Sequence, residues 1–336
     1  MNISNSPDLL KNKRNSTIDS LKGVLIILVV LGHWLEYGFA HETNRIVFNY
    51  IYLFHMPLFI LISGYFSKRT DFGTFIKKMQ SLVEVYIVVQ ILYVGSSILL
   101  QGKSYNYSIL YTPNAAAWYL LSLISWRTLL QFVPDKWLHR KSLLYLSIIV
   151  SIISGFIPLN DNEFSILRTL TFLPFFMFGF FLKNNNWKIN KYSSNLFKHS
   201  VLLIPLGIMF LIGNKDLSLV LYGKYPYYNS YYSPQLMMSL RLVFLIVAFI
   251  MSINILSLHT YIHTYALAFI GKNSLIFYIY HIIFLRLFVL ILRKIGFPTE
   301  FPFMIMYCLL TLCILYILSR MSIFKKILNP INLMVK

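Results

Sequence analysis

The stretch TIDSLKGVLIILVVLGHWLE, residues 17–36, decides the class of fold. From Leu21 onward it is typical of a membrane-spanning helix, since a crossing needs about 20 mostly apolar residues. It nevertheless carries His33 and Glu36 near its far end, three residues apart and therefore on one face of the helix. Ionisable groups inside a span are costly, so this pair is a candidate functional site.

The composition of the whole chain also indicates an integral membrane protein. Of its 336 residues 57% are hydrophobic and 12% are charged, whereas soluble domains carry roughly 25% charged residues. The net charge of +19 is interpreted as basic loops on the cytoplasmic side, facing anionic lipid, rather than as a nucleic-acid surface. The expected partner is thus the lipid bilayer, and no nucleic-acid partner is expected.

Ten apolar stretches predict an all-α, polytopic helical bundle with about ten transmembrane helices. Most Lys and Arg residues between the spans fall on the side of the N-terminus, so both termini are predicted to be cytoplasmic. The predicted division is a cytoplasmic segment 1–20, a transmembrane domain 21–320 and a cytoplasmic tail 321–336. The predicted spans are 21–38, 46–66, 82–100, 115–133, 142–158, 166–182, 199–213, 236–256, 273–292 and 302–320.

The second span carries another histidine at a depth similar to that of His33. At about 1.5 Å per residue, His33 lies roughly 18 Å into its helix and His55 roughly 14 Å into the next one. Pro57 should bend the second helix and expose backbone carbonyls, while Ser63 and Gly64 would let another helix approach closely. The two histidines predict a polar pocket in which an imidazole moves a proton near neutral pH.

Purely structural interpretations of these residues stay open. The histidines could simply form hydrogen bonds between helices, and no metal site is predicted because no spacing in the chain favours one. Asp19 is either a first-turn residue of the first helix or a catalytic group. Arg168, Arg241 and Arg286 lie toward the outer side, where arginines either reach the membrane interface or bind a phosphate or carboxylate. His281 lies near the middle of its span.

Two further features lie at opposite ends of the bundle. The outer loop near 214–235 contains YGKYPYYNSYYSP, whose tyrosines either lie at the membrane interface or stack on sugar rings. Basic residues cluster at the cytoplasmic ends of the first helices, as the positive-inside rule predicts. They would also suit a phosphate-rich cytoplasmic ligand. They are Arg14, Lys22, Lys68, Arg69, Lys77 and Lys78.

These motifs resemble the acyltransferase 3 family of membrane-bound acyltransferases, in particular its fucose-4-O-acetylase-like, exopolysaccharide-modifying branch. The opening motif of that family, a basic residue, ten residues and then histidine, fits Lys22 and His33. The chain departs from the family pattern at Gln80, Ser81 and Val85, where a basic stretch and a proline are usual. The other matching segments are FHMPLFILISGYF (54–66), WYLLSLISWR (118–127), SILRTLTFLPFFMFGFFL (165–182) and IGKNSLIFYIYH (270–281).

The resemblance implies transfer of an acetyl group from acetyl-CoA to a hydroxyl of a polysaccharide or lipid-linked glycan, at a bacterial plasma membrane. It implies that His33 acts as a general base or acyl carrier, oriented by Glu36 or Asp19, with His55 shaping the pocket. The chain is expected to lack the fused esterase domain of some relatives. Substrate and acyl-CoA are expected to bind Arg14, Lys22, Arg168, Arg241, Ser63 and His281.

Two other classes of function compete with the enzyme. A transporter or flippase of a lipid-linked glycan would use the buried histidines and arginines as a proton relay or anion path. Such proteins often contain inverted repeats, and no internal repeat is evident in this sequence. A sensor or scaffold of a polysaccharide export system would use the same groups only structurally.

Overall fold

The computed structural model describes residues 16–138, 140–159, 163–185, 202–212 and 217–328. Within these ranges the chain forms helices and loops and no strand, which confirms the all-α prediction. Arg14 lies outside the described residues. The helices are α1 (Ser16–Leu35), α2 (Glu42–Tyr52), α3 (His55–Phe66), α4 (Phe72–Gln101), α5 (Trp118–Phe132), α6 (Asp135–Leu138), α7 (Lys141–Ile153), α8 (Ile166–Asn184), α9 (Leu203–Ile212), α10 (Ser218–Leu221), α11 (Pro234–Ser257), α12 (Tyr265–Lys272), α13 (Ser274–Ile295), α14 (Phe301–Arg320) and α15 (Ser322–Ile327).

Seven helical segments of the described chain are long and apolar enough to cross a membrane, and each coincides with a predicted span. Helices also occupy the other three predicted positions, but α5, α7 and α9 have only 15, 13 and 10 residues. One reason is local, since α5 begins after a left-handed Ala115 and ends just before Pro134. The seven segments are Ser16–Gly38, Glu42–Phe66, Phe72–Gln101, Glu163–Asn184, Pro234–Ser257, Ser274–Ile295 and Phe301–Arg320.

The second segment bends, although not at its proline. The break falls between α2 and α3, at Leu53 and Phe54, and α3 begins at His55. Pro57 therefore lies in the first turn of α3, where backbone N–H groups have no helical partner to lose. The predicted bend is present, and it places His55 at the start of a new helix.

Helix α3 packs closely against α8, as the sequence predicts. A Cβ atom on Gly64 would lie 2.0 Å from the backbone oxygen of Phe176, so only glycine allows this approach. The contact brings α8, and with it Arg168 near its first turn, beside the helix that carries His55.

Helix α12 is an element that the sequence does not predict as a span. With eight residues it is too short to give the pattern of a crossing helix. It packs on the first turns of α1, where a Cβ on Gly271 would lie 1.7 Å from the backbone oxygen of Asp19. We call the end of the bundle at which α1 begins the proximal end and the opposite one the distal end.

Helix α1 lies at the centre of the packing, between α12, α13, α14, α2 and α3. Leu21, Leu25, Val30 and Trp34 are fully buried, and the Trp34 indole donates a hydrogen bond of 3.1 Å to the Thr311 hydroxyl on α14. This burial fixes the axis of α1 and thereby the position of the polar groups at its distal end.

Candidate active site

The polar groups at the distal end of α1 form a hydrogen-bonded pair. Helix α1 ends at Leu35 and tightens into a 3-10 turn at Glu36–Gly38. His33 Nδ1 lies 3.2 Å from Glu36 Oε2. A carboxylate only accepts hydrogen bonds, so Nδ1 of His33 carries a proton, and in the neutral ring Nε2 then keeps its lone pair. This is the arrangement a general base needs.

Two tyrosines from distant parts of the chain hold the other oxygen of Glu36. The hydroxyl of Tyr52 on α2 donates to Oε1 at 3.1 Å, and that of Tyr222, just after α10, donates at 2.6 Å. Burial, together with the negative charge of Glu36, raises the pKa of Tyr222 well above its usual value, so this hydroxyl stays a donor. The carboxylate is thereby fixed by three elements.

Two more histidines flank the pair. The ring of His281 lies 5.2 Å from that of His33, and His55 lies 4.5 Å from the ring of Tyr52. Each donates from Nδ1 to the backbone carbonyl four residues earlier, at 3.0 Å for His281 and 2.9 Å for His55. Both are therefore fixed in one tautomer with Nε2 unprotonated, and Nε2 of His281 has no hydrogen-bond partner among the described residues.

Arg168 brings positive charge to the same place. Its guanidinium lies 4.9 Å over the Trp118 ring, and its Nε is buried without a partner in the described part of the chain. No ion pair to Arg168 occurs between described residues, so its charge is not neutralised by a carboxylate. A half-buried cation of this kind stabilises an anion that forms beside it.

These groups surround what we call the central cavity, of about 280 Å³. A second cavity, which we call the distal cavity, has a volume of about 530 Å³. The two cavities adjoin, since both are lined by His33, Glu36, Pro113 and Ala115. The central cavity is lined by His33, Glu36, His55, Trp118, Arg168 and Tyr222, among others.

Two cavities lie nearer the proximal end. The proximal cavity, of about 270 Å³, is lined by Lys22, Ser63, Arg127 and Tyr278, and Tyr278 also lines the central cavity. Ser63 is hydrogen-bonded there to the Tyr119 hydroxyl at 2.6 Å. The basic cavity, of about 150 Å³, shares Phe66 and Arg127 with the proximal cavity and is otherwise lined by Lys68, Arg69 and Lys78, among others.

The structure thus brings together four of the predicted residues around one cavity, namely His33, Glu36, His55 and Arg168, with His281 against His33. Lys22 and Ser63 instead line the proximal cavity.

Asp19 lies far from His33. It forms an ion pair of 2.9 Å with Lys22. His33 is fourteen positions further along the helix, which is about 21 Å of rise. The hypothesis that Asp19 orients His33 is therefore replaced by an ion-pair role at the proximal end.

Arg241 is not among the described residues that line these cavities. Its guanidinium is buried, lies 4.6 Å over the Tyr227 ring and donates to the backbone oxygen of Tyr225 and to the Ser154 hydroxyl, at 3.1 and 3.3 Å. The structure gives it the role of joining α11 to α7 and to the loop before α11.

Sequence reasoning missed Tyr52, Tyr222, Trp118, Arg127 and Tyr278 as site residues. Tyr52 precedes His55 by three residues, which is a signal that could have been used. Tyr222 belongs to the tyrosine-rich outer segment, yet its neighbours in that segment look the same in sequence. Only the folded chain selects Tyr222 as the partner of Glu36.

The chain is similar to known proteins. The acyltransferase 3 family model, described as an acyltransferase domain, matches residues 15–320. Over 67 residues, 19% of this chain, the sequence is 48% identical to nodulation protein NolL of Sinorhizobium fredii, of which the match covers 18%. Over 60 residues, 17% of the chain, it is 47% identical to nodulation protein NolL of Mesorhizobium japonicum, of which it covers 16%. The matches thus span less than a fifth of each relative, and no solved structure matches.

Proposed function

This chain belongs to the acyltransferase 3 family, and from that premise we propose that it transfers an acetyl group from acetyl-CoA to a hydroxyl of a cell-surface or exported polysaccharide sugar. The family and the apolar helices make it a membrane acyltransferase. The resemblance to this family, which the sequence motifs indicated, is thereby confirmed. The observation that carries the proposal is the His33–Glu36 hydrogen bond, which directs Nδ1 to the carboxylate and leaves Nε2 as the acceptor of the neutral ring, at a cavity that also holds Arg168.

In the proposed reaction His33 is the general base. Its Nε2 takes the proton of a sugar hydroxyl while the oxygen attacks the thioester carbonyl of acetyl-CoA. Glu36 stabilises the imidazolium that forms, because its carboxylate accepts the Nδ1 proton. The carbon–sulfur bond then breaks, His33 returns its proton to the leaving thiolate, and the sugar ester and CoA are released.

Arg168 is proposed to stabilise the transition state. Negative charge develops on the carbonyl oxygen as the sugar attacks, and a preorganised cation beside it in a water-poor site is worth several kcal/mol, roughly 3–4 for one donor in other enzymes. The buried Nε of Arg168, which lacks a partner in the described chain, and the Trp118 ring beneath the guanidinium support this role.

The proximal and basic cavities suit the acyl donor. They share Arg127, and Lys22, Lys68, Arg69 and Lys78 add positive charge that complements the phosphates of CoA. The side chain of Tyr278 lines both the proximal and the central cavity, so the thioester would pass this residue to reach His33. In this proposal the proximal end is cytoplasmic, as the distribution of Lys and Arg predicts, and the protein lies in a bacterial plasma membrane.

The test is NMR of the surface polysaccharide from cells with the gene intact, deleted, or carrying His33→Ala. We expect O-acetyl signals to vanish in both altered strains while polymer yield and the amount of membrane-inserted protein hold. The matched control is His263→Ala, since His263 is exposed at the proximal end and bonds the Ser16 hydroxyl; it should keep full acetylation. Unchanged acetylation with polymer trapped inside the cell would instead favour the transporter.

A further inference from the structure

The distal cavity is the larger of the two that meet at His33, and the proposed reaction leaves it without a ligand. Its volume of about 530 Å³ is in the range of small-molecule sites. Polar side chains dominate the part that lies away from His33, including Gln101, Thr112 and Asn114. Such a lining suits a hydroxyl-rich ligand rather than an acyl chain.

Arg286 is held in the wall of this cavity with part of its guanidinium unused. Nη1 donates to the backbone oxygen of Tyr93 and to the Ser96 hydroxyl, and Nη2 donates to the Asn114 side-chain oxygen at 2.9 Å. A guanidinium has five N–H donors. Nε and one of the two Nη2 hydrogens have no partner among the described residues, so the guanidinium keeps two donors that a carboxylate or phosphate can accept from.

The lining of the distal cavity also has a net positive charge, because its described residues include two cations and one carboxylate. All three acceptors of Arg286 are neutral, and Lys103, on the loop after α4, adds a second cation to the lining. Glu36 is the one carboxylate among the described residues of this lining, and its oxygens already accept from His33, Tyr52 and Tyr222. A buried cation without a counter-ion is costly unless a ligand supplies one.

We propose that the distal cavity is the acceptor subsite and that it selects glycans carrying an anionic group, a carboxylate or a phosphate, which Arg286 and Lys103 bind. The inference rests on the proposed function and adds the charge of the acceptor to it. Because His33 lines both cavities, a sugar held by its anionic group in the distal cavity presents a hydroxyl to Nε2 of His33 at the central one.

The experiment measures binding, not turnover. The purified full chain in lipid nanodiscs is titrated with matched pairs of probes, and the thermal unfolding midpoint gives each Kd. The pairs are methyl glucuronide with methyl glucoside, methyl galacturonide with methyl galactoside, and glucose 1-phosphate with glucose. We expect the anionic member of at least one pair to bind about tenfold more tightly, as charge-assisted hydrogen bonds do, and the uronide and phosphate arms identify the group.

The variants separate recognition from support of the fold. Arg286→Gln should abolish the preference for the anionic probe, and Arg286→Lys should keep only part of it, because lysine lacks the planar guanidinium. Lys294→Gln is the matched control, since Lys294 is exposed on the same helix and does not line this cavity. A purely structural role of Arg286 would lower the affinity for both members of a pair equally.

Equal binding of anionic and neutral probes by the wild type, no binding of either, or a preference that survives Arg286→Gln would each overturn the proposal. If Arg286→Gln does not fold, Lys103→Gln and Lys103→Glu decide, because Lys103 lies on an exposed loop. The preference must fall in the first and fall further in the second. Loss of O-acetylation in cells is a separate result, so a failed acetyltransferase and a failed anion site are distinguishable.

Discussion

Two pairs of ionisable residues with the same spacing lie at the two ends of helix α1. Lys22 Nζ lies 2.9 Å from Asp19 Oδ1 at the proximal end, and His33 Nδ1 lies 3.2 Å from Glu36 Oε2 at the distal end. In sequence both are charged or ionisable residues at i and i+3, which face the same side of a helix. Spacing alone therefore gives no reason to assign chemistry to one pair and structure to the other.

The surroundings separate the two pairs. The proximal pair lies against α12, whose Gly271 allows its backbone to approach that of Asp19. The distal pair lies at two cavities, and two tyrosine hydroxyls complete the hydrogen bonding of Glu36. A pair becomes a candidate acid–base device where other elements hold its carboxylate and leave its imidazole open to a ligand.

The largest effect is expected from breaking the distal pair. Glu36→Gln keeps the size of the side chain and removes the charge that stabilises protonated His33, so the rate of acetyl transfer should fall by about 10²–10⁴-fold. The matched change at the other end, Asp19→Asn, should cost no more than about fivefold, because the pair lies about 21 Å from His33 and its lysine is partly exposed. Both rates are measured with purified protein and radiolabelled acetyl-CoA. Equal losses in the two variants would remove the distinction between the pairs.

At the proximal end, a change in packing should instead lower the stability of the protein. In Gly271→Ala the new Cβ would have to displace backbone, because it would lie 1.7 Å from the Asp19 oxygen. We expect a loss of about 1–3 kcal/mol in the free energy of unfolding, as for other overpacked contacts. The measurement is unfolding of the detergent-solubilised protein.

The control for that variant is Gly95→Ala in α4, where a Cβ meets nothing within 4 Å. It should leave the stability unchanged or raise it by about 0.5–1 kcal/mol, because alanine favours a helix over glycine. A Gly271→Ala protein as stable as Gly95→Ala would show that α12 can move away from α1 without cost.

The sequence predicts the elements well because apolar length is a local property. All ten predicted spans contain helix, and His33, Glu36, His55 and Arg168 meet at one cavity. The number of full crossings is less predictable, since α5 and α7 end at turns and bends within apolar stretches rather than at a change of composition.

What the sequence could not predict depends on contacts between distant segments. Asp19 and Arg241 look like catalytic or binding candidates, but their partners are Lys22 in one case and Tyr225, Tyr227 and Ser154 in the other. The choice of Tyr222 from a run of tyrosines is likewise made by the fold, because Glu36 lies 186 positions away in the chain.

The smallest effect is expected from removing one hydrogen bond to the carboxylate of the distal pair. Tyr222→Phe removes one of two hydroxyls from Glu36 Oε1 and leaves that of Tyr52, so acetyl transfer should fall about tenfold, the value of one hydrogen bond to a charged group. Because burial and Glu36 raise the pKa of Tyr222, its hydroxyl stays protonated, and the ratio of the two rates should not change as the pH approaches about 10, the usual pKa of tyrosine. Tyr228→Phe, in an exposed tyrosine of the same segment, is the control and should keep the wild-type rate. A Tyr222→Phe enzyme with the wild-type rate would mean that His33 alone orients Glu36, and that the two ends of α1 differ only in their access to a ligand.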